Sequence, residues 1–597
     1  MNKVKLKLSM DRATHVSGAY AEFLPEAARG ELADRVDISA VIAEHTQGWM
    51  VDVDRWHTLM SRLLHKKCRN WPYNDGSRLT IWAPYDFRPL FFSRAIYEVC
   101  ASRKFTQLTL YGVTDEIGIY LEEWTRQSEC PYILTGISTS ARKKSTNFWA
   151  LAALALYRDA RKCVYLLSRW KPFELRSDKP TSTSILISSL PLKPKSEHGD
   201  HFFGTLFDGN EYQGKVTWIY DDSGSVTQPA IRKSFRDQVG SYFFLFDDLR
   251  LVDIIDAYMK AIGESFQMAK IFGSVPALSL GGVVTACVNQ RIYETTLSNG
   301  GALIQRVVRR LMGRIISAVS PKVLLYPFEQ KGVERAIIDA AKATKSDLRV
   351  CAYAHAVFCD GHMYLKFRSM CHLAQPDLVL VAGQLTLEWL CSHWGWPREK
   401  VLFVGSSRHL DQPTGISTDS KPSVRRNVLF LTGVGHEISR LCEFVSTVPD
   451  LFRGYNLTVR KYPFDWIRDQ QNDIRHLREL GVNLHESELT LKQDIESADV
   501  ILYISTSASI EAMQKNKVCI RITDALVDTD PLNGRDTEQA VSVCRSGRDL
   551  DVAIQEVFSL SVEDYIALAQ KQLILANGLY AAWSQEAFNE LLMERNG

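Results

Sequence analysis

Little net charge separates the basic and acidic residues of this chain. Its 71 Lys and Arg against 69 Asp and Glu leave a formal +2. So small an excess excludes a nucleic-acid partner recruited by bulk attraction. The twelve cysteines, scattered from Cys68 to Cys544, contain no CxxC pair. That excludes a disulfide framework and a ribbon zinc site, and it fits a reduced, cytoplasmic setting. The opening "MNKVKLKLSMDRATH" is basic but has no apolar core, so it does not read as a signal peptide. No apolar run is long enough to span a bilayer comfortably. The nearest, "IFGSVPALSLGGVVTACV" (Ile271–Val288), carries a proline and three glycines. It reads as a buried helical hairpin or a surface that touches membrane. Low-complexity tracts and short repeats are absent as well.

What is present is a globular composition, 46% hydrophobic and 23% charged, over 597 residues, which implies more than one domain. Short apolar runs rich in β-branched and aromatic residues recur along the chain. They stand at Leu79–Pro84, Phe105–Val113, Cys163–Ser168, Ser184–Leu190, Lys215–Tyr220, Lys322–Glu329, Leu348–His355, Asp377–Gly383 and Lys400–Ser406. Continuous rather than alternating hydrophobicity marks strands covered on both faces, as in parallel sheets. Helix-period segments such as Lys331–Thr344 and Gln384–Gly395 fall between them, the βαβ signature. A Pro-, Ser- and Asp-rich break at Arg408–Asn427 reads as a linker. The pattern then restarts at Asn427–Gly433, Asn456–Pro463, Gly481–Glu486, Asp499–Ser505 and Lys517–Ile522.

The expected architecture is therefore α/β, with two doubly wound Rossmann-like domains facing each other. The expected boundaries are an N-terminal extension over 1–77 and a first domain over 78–410 with a helical insertion at about 241–313. A linker over 411–426, a second domain over 427–560 and closing helices over 561–597 complete it. Ligands of such sheets sit at the carboxyl ends of the strands, and between domains when two sheets face.

Three turns of the second domain suit an anion. "ISTSASIEAM" places Ser505, Thr506, Ser507 and Ser509, with Glu511, where a strand becomes a helix. A helix N-terminus offers unpaired N–H groups and a partial positive charge. Ser and Thr are also the preferred helix caps, so a plain cap is the competing reading. "LTGVGHEISRL" puts Gly433, Gly435 and His436 in the first strand–helix turn, as a phosphate loop or a tight turn. "VRKYPFDW" puts Arg460, Lys461 and Tyr462 at the next strand end, as phosphate partners or solubilising residues.

These passages resemble GT-B glycosyltransferases, and within them the bacterial surface-carbohydrate enzymes of capsule and O-antigen assembly that include Kdo-, sialic-acid- and polysialic-acid-type transferases. The resemblance is carried by Tyr326–Lys342, Cys351–Phe358, Pro376–Arg408 and Ile504–Met513, and covers roughly Lys322 to Ile522. It implies a nucleotide-activated donor, CMP-linked in this group, held on the second domain by the serine-rich motif. It implies a sugar such as Kdo or another nonulosonic acid, passed to a glycan or lipid-linked glycan acceptor. No cofactor and no metal are implied, and no convincing DxD element offers a divalent-ion site. A cytoplasmic enzyme with peripheral contact at the inner membrane is the matching location. Many such enzymes carry His-Pro after the second strand of the donor domain. Here "KYP" puts Tyr462 at that place, so Lys461 or Arg460 takes the charge role in this reading.

The resemblance also marks Glu329, in an "FE…ER" pattern with Glu334. Glu329 closes the run Lys322–Glu329 and reads as a general base or as a helix cap paired with Arg335. His355 ends the next strand, as base, substrate binder or hydrogen-bonded core histidine. His355, Cys359, His362, Cys371 and His372 crowd one region, but their order matches no common zinc pattern. Two other classes fit the same plan. One is a sugar-nucleotide epimerase or polyol-phosphate transferase; the other is a non-catalytic protein that binds glycan or nucleotide within an assembly complex.

Overall fold

The computed structural model describes residues 303–593 apart from 360–361, 363–364, 368–372, 408–425, 434–436, 462–469, 524–529, 531 and 533. Before them it describes 3–9, 20–25, 34–67, 88–102, 107–111, 119–124, 133–135, 148–169, 184–189, 200, 202–204, 206–207, 212, 215–220, 241–271, 277–280 and 283–285.

Two all-parallel sheets dominate. The first has seven strands in the order β14-β13-β12-β11-β6-β7-β8. These are β6 (Ile185–Ser189), β7 (Val216–Tyr220), β8 (Ser241–Phe244), β11 (Val323–Pro327), β12 (Arg349–Ala354), β13 (Leu378–Val381) and β14 (Val401–Phe403). The second has six in the order β17-β16-β15-β18-β19-β20. These are β15 (Asn427–Leu431), β16 (Asn456–Arg460), β17 (Leu484–Glu486), β18 (Val500–Tyr503), β19 (Val518–Ile522) and β20 (Ser542–Cys544). Counted from its own first strand, each sheet runs 3-2-1-4-5-6, and the first adds a seventh at its edge. That is the doubly wound order, and the chain is a GT-B-type pair of Rossmann-like domains. Every residue of β6, β7, β11 and β19 is buried, which is why these strands read as continuous apolar runs.

Four expectations need correction. Cys163–Ser168 is not a strand but lies within a helix, Phe148–Arg169. Ala152, Ala155, Asp159, Cys163 and Leu166 are its buried residues, at helical spacing of three and four. A six-residue apolar run cannot show which period it belongs to. The N-terminal part is more than an extension: β1 (Lys3–Ser9), β2 (Tyr20–Pro25), β3 (Asp34–Asp37), β4 (Gln107–Tyr111) and β5 (Ile133–Thr135) form a separate five-stranded sheet, β3-β2-β1-β4-β5, in which β1 pairs in parallel with β4. The expected strand over Phe105–Val113 therefore belongs to that sheet and not to the first doubly wound one, while Leu79–Pro84 lies outside the described residues. The expected insertion at 241–313 opens with β8, a sheet strand paired with β7. Finally, the described residues of Ile271–Val288 do not form the expected helical hairpin. It contains the β-hairpin of β9 (Leu278–Leu280) and β10 (Val283–Thr285). Among the described residues no helix is long and apolar enough to cross a membrane.

The domains meet through loops that leave the carboxyl ends of both sheets. Val357, after β12, and Ala382, after β13, share a buried cluster with Ile510, Met513 and Leu532 of the second domain. The Arg535 guanidinium donates to the Phe358 carbonyl at 2.7 Å and stacks over Trp389 at 4.3 Å. The chain then returns to the first domain. Ala581 N–H donates to Ala382 O and Ser584 N–H to Val404 O. Gly383 is glycine because a Cβ there would stand 2.1 Å from the Leu579 carbonyl oxygen. The last helix, Gln585–Met593, buries Phe588 and Leu591 in the core beneath the seven-stranded sheet.

Candidate active site

In a doubly wound sheet the crevice opens where strands 1 and 4 lie side by side. In the second domain these are β15 and β18, paired from Val428↔Val500 to Leu431↔Tyr503. Gly433 leaves the first and Ser505 the second. Between them sits a residue the sequence reading passed over, Glu437, in the first turn of the helix Glu437–Thr447. Its carboxylate accepts the Gly433 N–H at 2.5 Å and the Ser505 hydroxyl. Glu437 is 6% exposed. A Cβ at Gly433 would lie 2.6 Å from Glu437 Oε1 and 2.8 Å from Ser505 Oγ, so any larger residue there must displace one of these side chains. The Glu437 carboxylate thus lies at the switch point, tied to both turns. An acid directly after "GVGH", in the first turn of a helix, was the signal available in the sequence.

The remaining hydroxyls divide. Thr506 Oγ1 accepts the Ala508 N–H at 3.3 Å, so the cap hydroxyl belongs to Thr506. Ser507 occupies the cap position of the helix Ala508–Gln514 without a side-chain hydrogen bond. Ser505, Thr506 and Ser507 are half-buried, on the crevice side. Ser509 is fully buried and donates to the Thr506 carbonyl at 2.7 Å, so its hydroxyl faces the core and not a ligand. Glu511 lies on the same helix, half-buried.

The two cations expected to meet phosphate are engaged inside the domain. Arg460 Nη1 donates to Asp494 Oδ2 at 2.6 Å and to the Leu489 carbonyl at 2.7 Å. Asp494 is 2% exposed, so this pair braces β16 against the helix Leu491–Ser497. Lys461 pairs with Glu486 at 3.1 Å. Burial raises the Glu486 carboxyl, but hydrogen bonds from Gln471, Lys461 and Arg478 outweigh it and hold it below its usual range. Gly435, His436 and Tyr462 lie outside the described residues.

In the first domain the switch strands are β6 and β11. At the end of β6, Ser189 donates to Asp200 Oδ2 at 2.8 Å, and the other Asp200 oxygen accepts the N–H groups of Phe202 and Phe203. Glu329 and His355 each stand just beyond a strand end, on β11 and β12, which pair through Pro327↔Tyr353. The Glu329 side chain is 25% exposed and forms an ion pair with Lys331. Its own N–H is held by Glu334 Oε2 at 3.0 Å. His355 is buried, with its ring edge against Phe202 at 4.7 Å. Gln330, next to Glu329, was not foreseen. It has φ 54°, is 1% exposed, and its amide has no hydrogen-bond partner among the described residues. The positive φ and the amide without a partner among the described residues set this turn apart from its neighbours.

Burial makes several of the described cysteines poor nucleophiles. Burial pushes the thiols of Cys351 and Cys544 up to about 12 and that of Cys163 to about 11. Cys359 Sγ lies 3.2 Å from His362 Nδ1, but among the described residues no group of three His, Cys, Asp or Glu could hold a metal. Cys371 and His372 lie outside the described residues.

No family model matches the chain, and no curated protein does. Solved structures similar to it include an Acinetobacter baumannii MurG, 12% identical over 69% of this chain and 99% of that one, with a TM-score of 0.36. A Neisseria meningitidis UDP-GlcNAc 2-epimerase bound to UDP-GlcNAc is 10% identical over 66% and 97%, with a TM-score of 0.39. The Streptomyces nogalater glycosyltransferase SnogD is 11% identical over 67% and 96%, with a TM-score of 0.35. The strand order, and not these likenesses, defines the fold.

Proposed function

We propose that the protein is a glycosyltransferase that moves a sugar from a nucleotide-activated donor to a surface-polysaccharide acceptor. The donor lies on the second domain, against the turns of Gly433 and of Ser505–Ser507. In the finer reading the nucleotide is CMP, the sugar Kdo or a related nonulosonic acid, and the acceptor a glycan or lipid-linked glycan at the cytoplasmic side of a membrane. Glu329 takes the proton of the acceptor hydroxyl as that oxygen attacks the anomeric carbon. The bond from that carbon to the donor phosphate oxygen breaks, and the nucleotide leaves with the electron pair. Lys331 pairs with Glu329 and holds its carboxylate in place. His355 orients substrate from the neighbouring strand.

The observation that carries this reading is Glu329. It is a partly exposed carboxylate at the carboxyl end of a switch strand, in a first domain whose strand-end loops meet a second doubly wound sheet. The test has two arms. Thermal shift against CMP, UDP and GDP should show the largest stabilisation by CMP; a ligand at a hundred times its Kd adds about 2.7 kcal/mol. Free nucleotide should then form only when donor and acceptor are both present. Turnover of the nucleotide sugar without acceptor identifies an epimerase instead, and binding without turnover an inert module. Preference for UDP removes the CMP-sugar assignment and leaves the fold.

A further inference from the structure

Two helices of the first domain carry large apolar side chains into solvent. They are Phe148–Arg169 and Leu251–Ile271, and they pack against each other. Fourteen large hydrophobic residues are exposed among the described ones, and nine of them lie on this pair. Tyr157, Val164 and Leu167 repeat on one helix, and Val252, Ile255 and Met259 on the other, each set at helical spacing. Val164 is 66% exposed and Met259 62%. Exposed apolar residues concentrated in this way on a globular protein mark an interaction surface.

Its charge is arranged as deliberately. The acids of these helices turn inward. Asp253 accepts two hydrogen bonds from Arg314 at 2.8 Å, Asp256 pairs with Arg310 at 2.5 Å, and Glu264 pairs with Arg306. All three arginines belong to the helix Leu303–Val319 beneath. Asp159 is fully buried. The carboxylates of Asp256 and Glu264 are only 32% and 20% exposed. Arg161 and Lys270 remain exposed near the apolar residues, and Lys260, also exposed, pairs with Asp256 at 2.9 Å. The outward face is thus apolar and cationic at once.

We propose that this two-helix face docks the protein onto an anionic lipid bilayer, lying in the interface without crossing it. Lysine and arginine meet lipid phosphate while the apolar stripe enters the headgroup–acyl boundary. A second copy of the chain is the poorer occupant, because a twofold contact would set the same cations against each other. The proposal rests on the transferase reading only for its purpose, the delivery of a lipid-linked acceptor.

Flotation of the full-length protein with vesicles tests it and needs neither nucleotide nor turnover. Failure here leaves the transferase assignment standing, and failure of turnover leaves the lipid contact standing. Vesicles one-third phosphatidylglycerol should carry the protein, and pure phosphatidylcholine vesicles should carry at least tenfold less. Ile255→Asp with Met259→Asp should lower the bound fraction at least tenfold, with melting temperature and nucleotide binding unchanged. Should that pair disturb folding, Ile255→Ser with Met259→Ser gives the same comparison at unchanged charge. Arg161→Gln with Lys270→Gln should lower binding to the anionic vesicles alone. Absence of binding, equal binding by wild type and the apolar variants, or a solution dimer that those variants dissociate would each overturn the proposal.

Discussion

The two sheets share one strand order, yet their switch points are furnished differently. In the second domain the crevice between β15 and β18 is closed by Glu437, which ties Gly433 to Ser505. In the first, Asp200 ties the end of β6 to the backbone of Phe202 and Phe203, while the neighbouring turn leaves Glu329 partly exposed and Gln330 without a partner. Each domain thus supplies an internal anion to a site where the fold favours one. Both leave a half-buried carboxylate near the switch strands, Glu329 in the first domain and Glu511 in the second. Under the proposed function the second domain supplies the binding turn and the first the chemical turn, and the difference lies in a few side chains after the strands.

The sharpest way to break this contrast is Glu329→Gln. It keeps size and removes charge, so turnover should fall by roughly 10²–10⁴-fold with nucleotide Kd unchanged. Kinetics and calorimetry on one variant check both halves. Near-normal turnover would move His355 to the head of the mechanism. Next in size is Arg460→Ala, which leaves buried Asp494 without its cation and should cost roughly 1.5–3 kcal/mol of stability in denaturant melts. Lys461→Ala, whose pair is more exposed, should cost no more than about 1 kcal/mol. Equal effects, or a large loss of nucleotide affinity with Arg460→Ala at unchanged stability, would restore Arg460 as a donor ligand. Gly433→Ala sharpens the notch itself. Its methyl meets both Glu437 and Ser505, and the strain should cost about 1–3 kcal/mol, read as a lower melting temperature. A neutral result would show that the Glu437 side chain swings out. The smallest effect is a pH dependence. Glu486 titrates below its unfolded value, so its contribution is present above about pH 4.3 and is lost as pH falls through its folded value. Lys461→Ala should shrink that acid-side loss of stability.

Most strands of the two sheets were legible because burial on both faces demands uninterrupted Val, Ile, Leu and aromatic runs, as in "VLLYP" of β11 and "VCIRI" of β19. Three kinds of element escaped. β20 leaves Ser542 and Val543 exposed, and the four-residue β8 gives too short a run to register. The run "CVYLLS" sits inside a helix whose period shows only over its full 22 residues. At the candidate site the sequence showed Ser505, Gly433 and Glu329 through their turns. It did not show Glu437, because an acid in the first turn of a helix is ordinary until a serine 68 residues away donates to it.

Local periodicity, turn chemistry and composition are properties of neighbours in the chain, so the sequence alone determined two parallel α/β domains and the strand ends at which a site can form. Tertiary structure alone decided which charges are free. Arg460 stands 34 residues from Asp494, and Arg314 stands 61 from Asp253. Such pairs form only after sheets and helices close those loops, and the pairing, not the residue type, determines whether a cation meets a ligand, a carboxylate or a membrane.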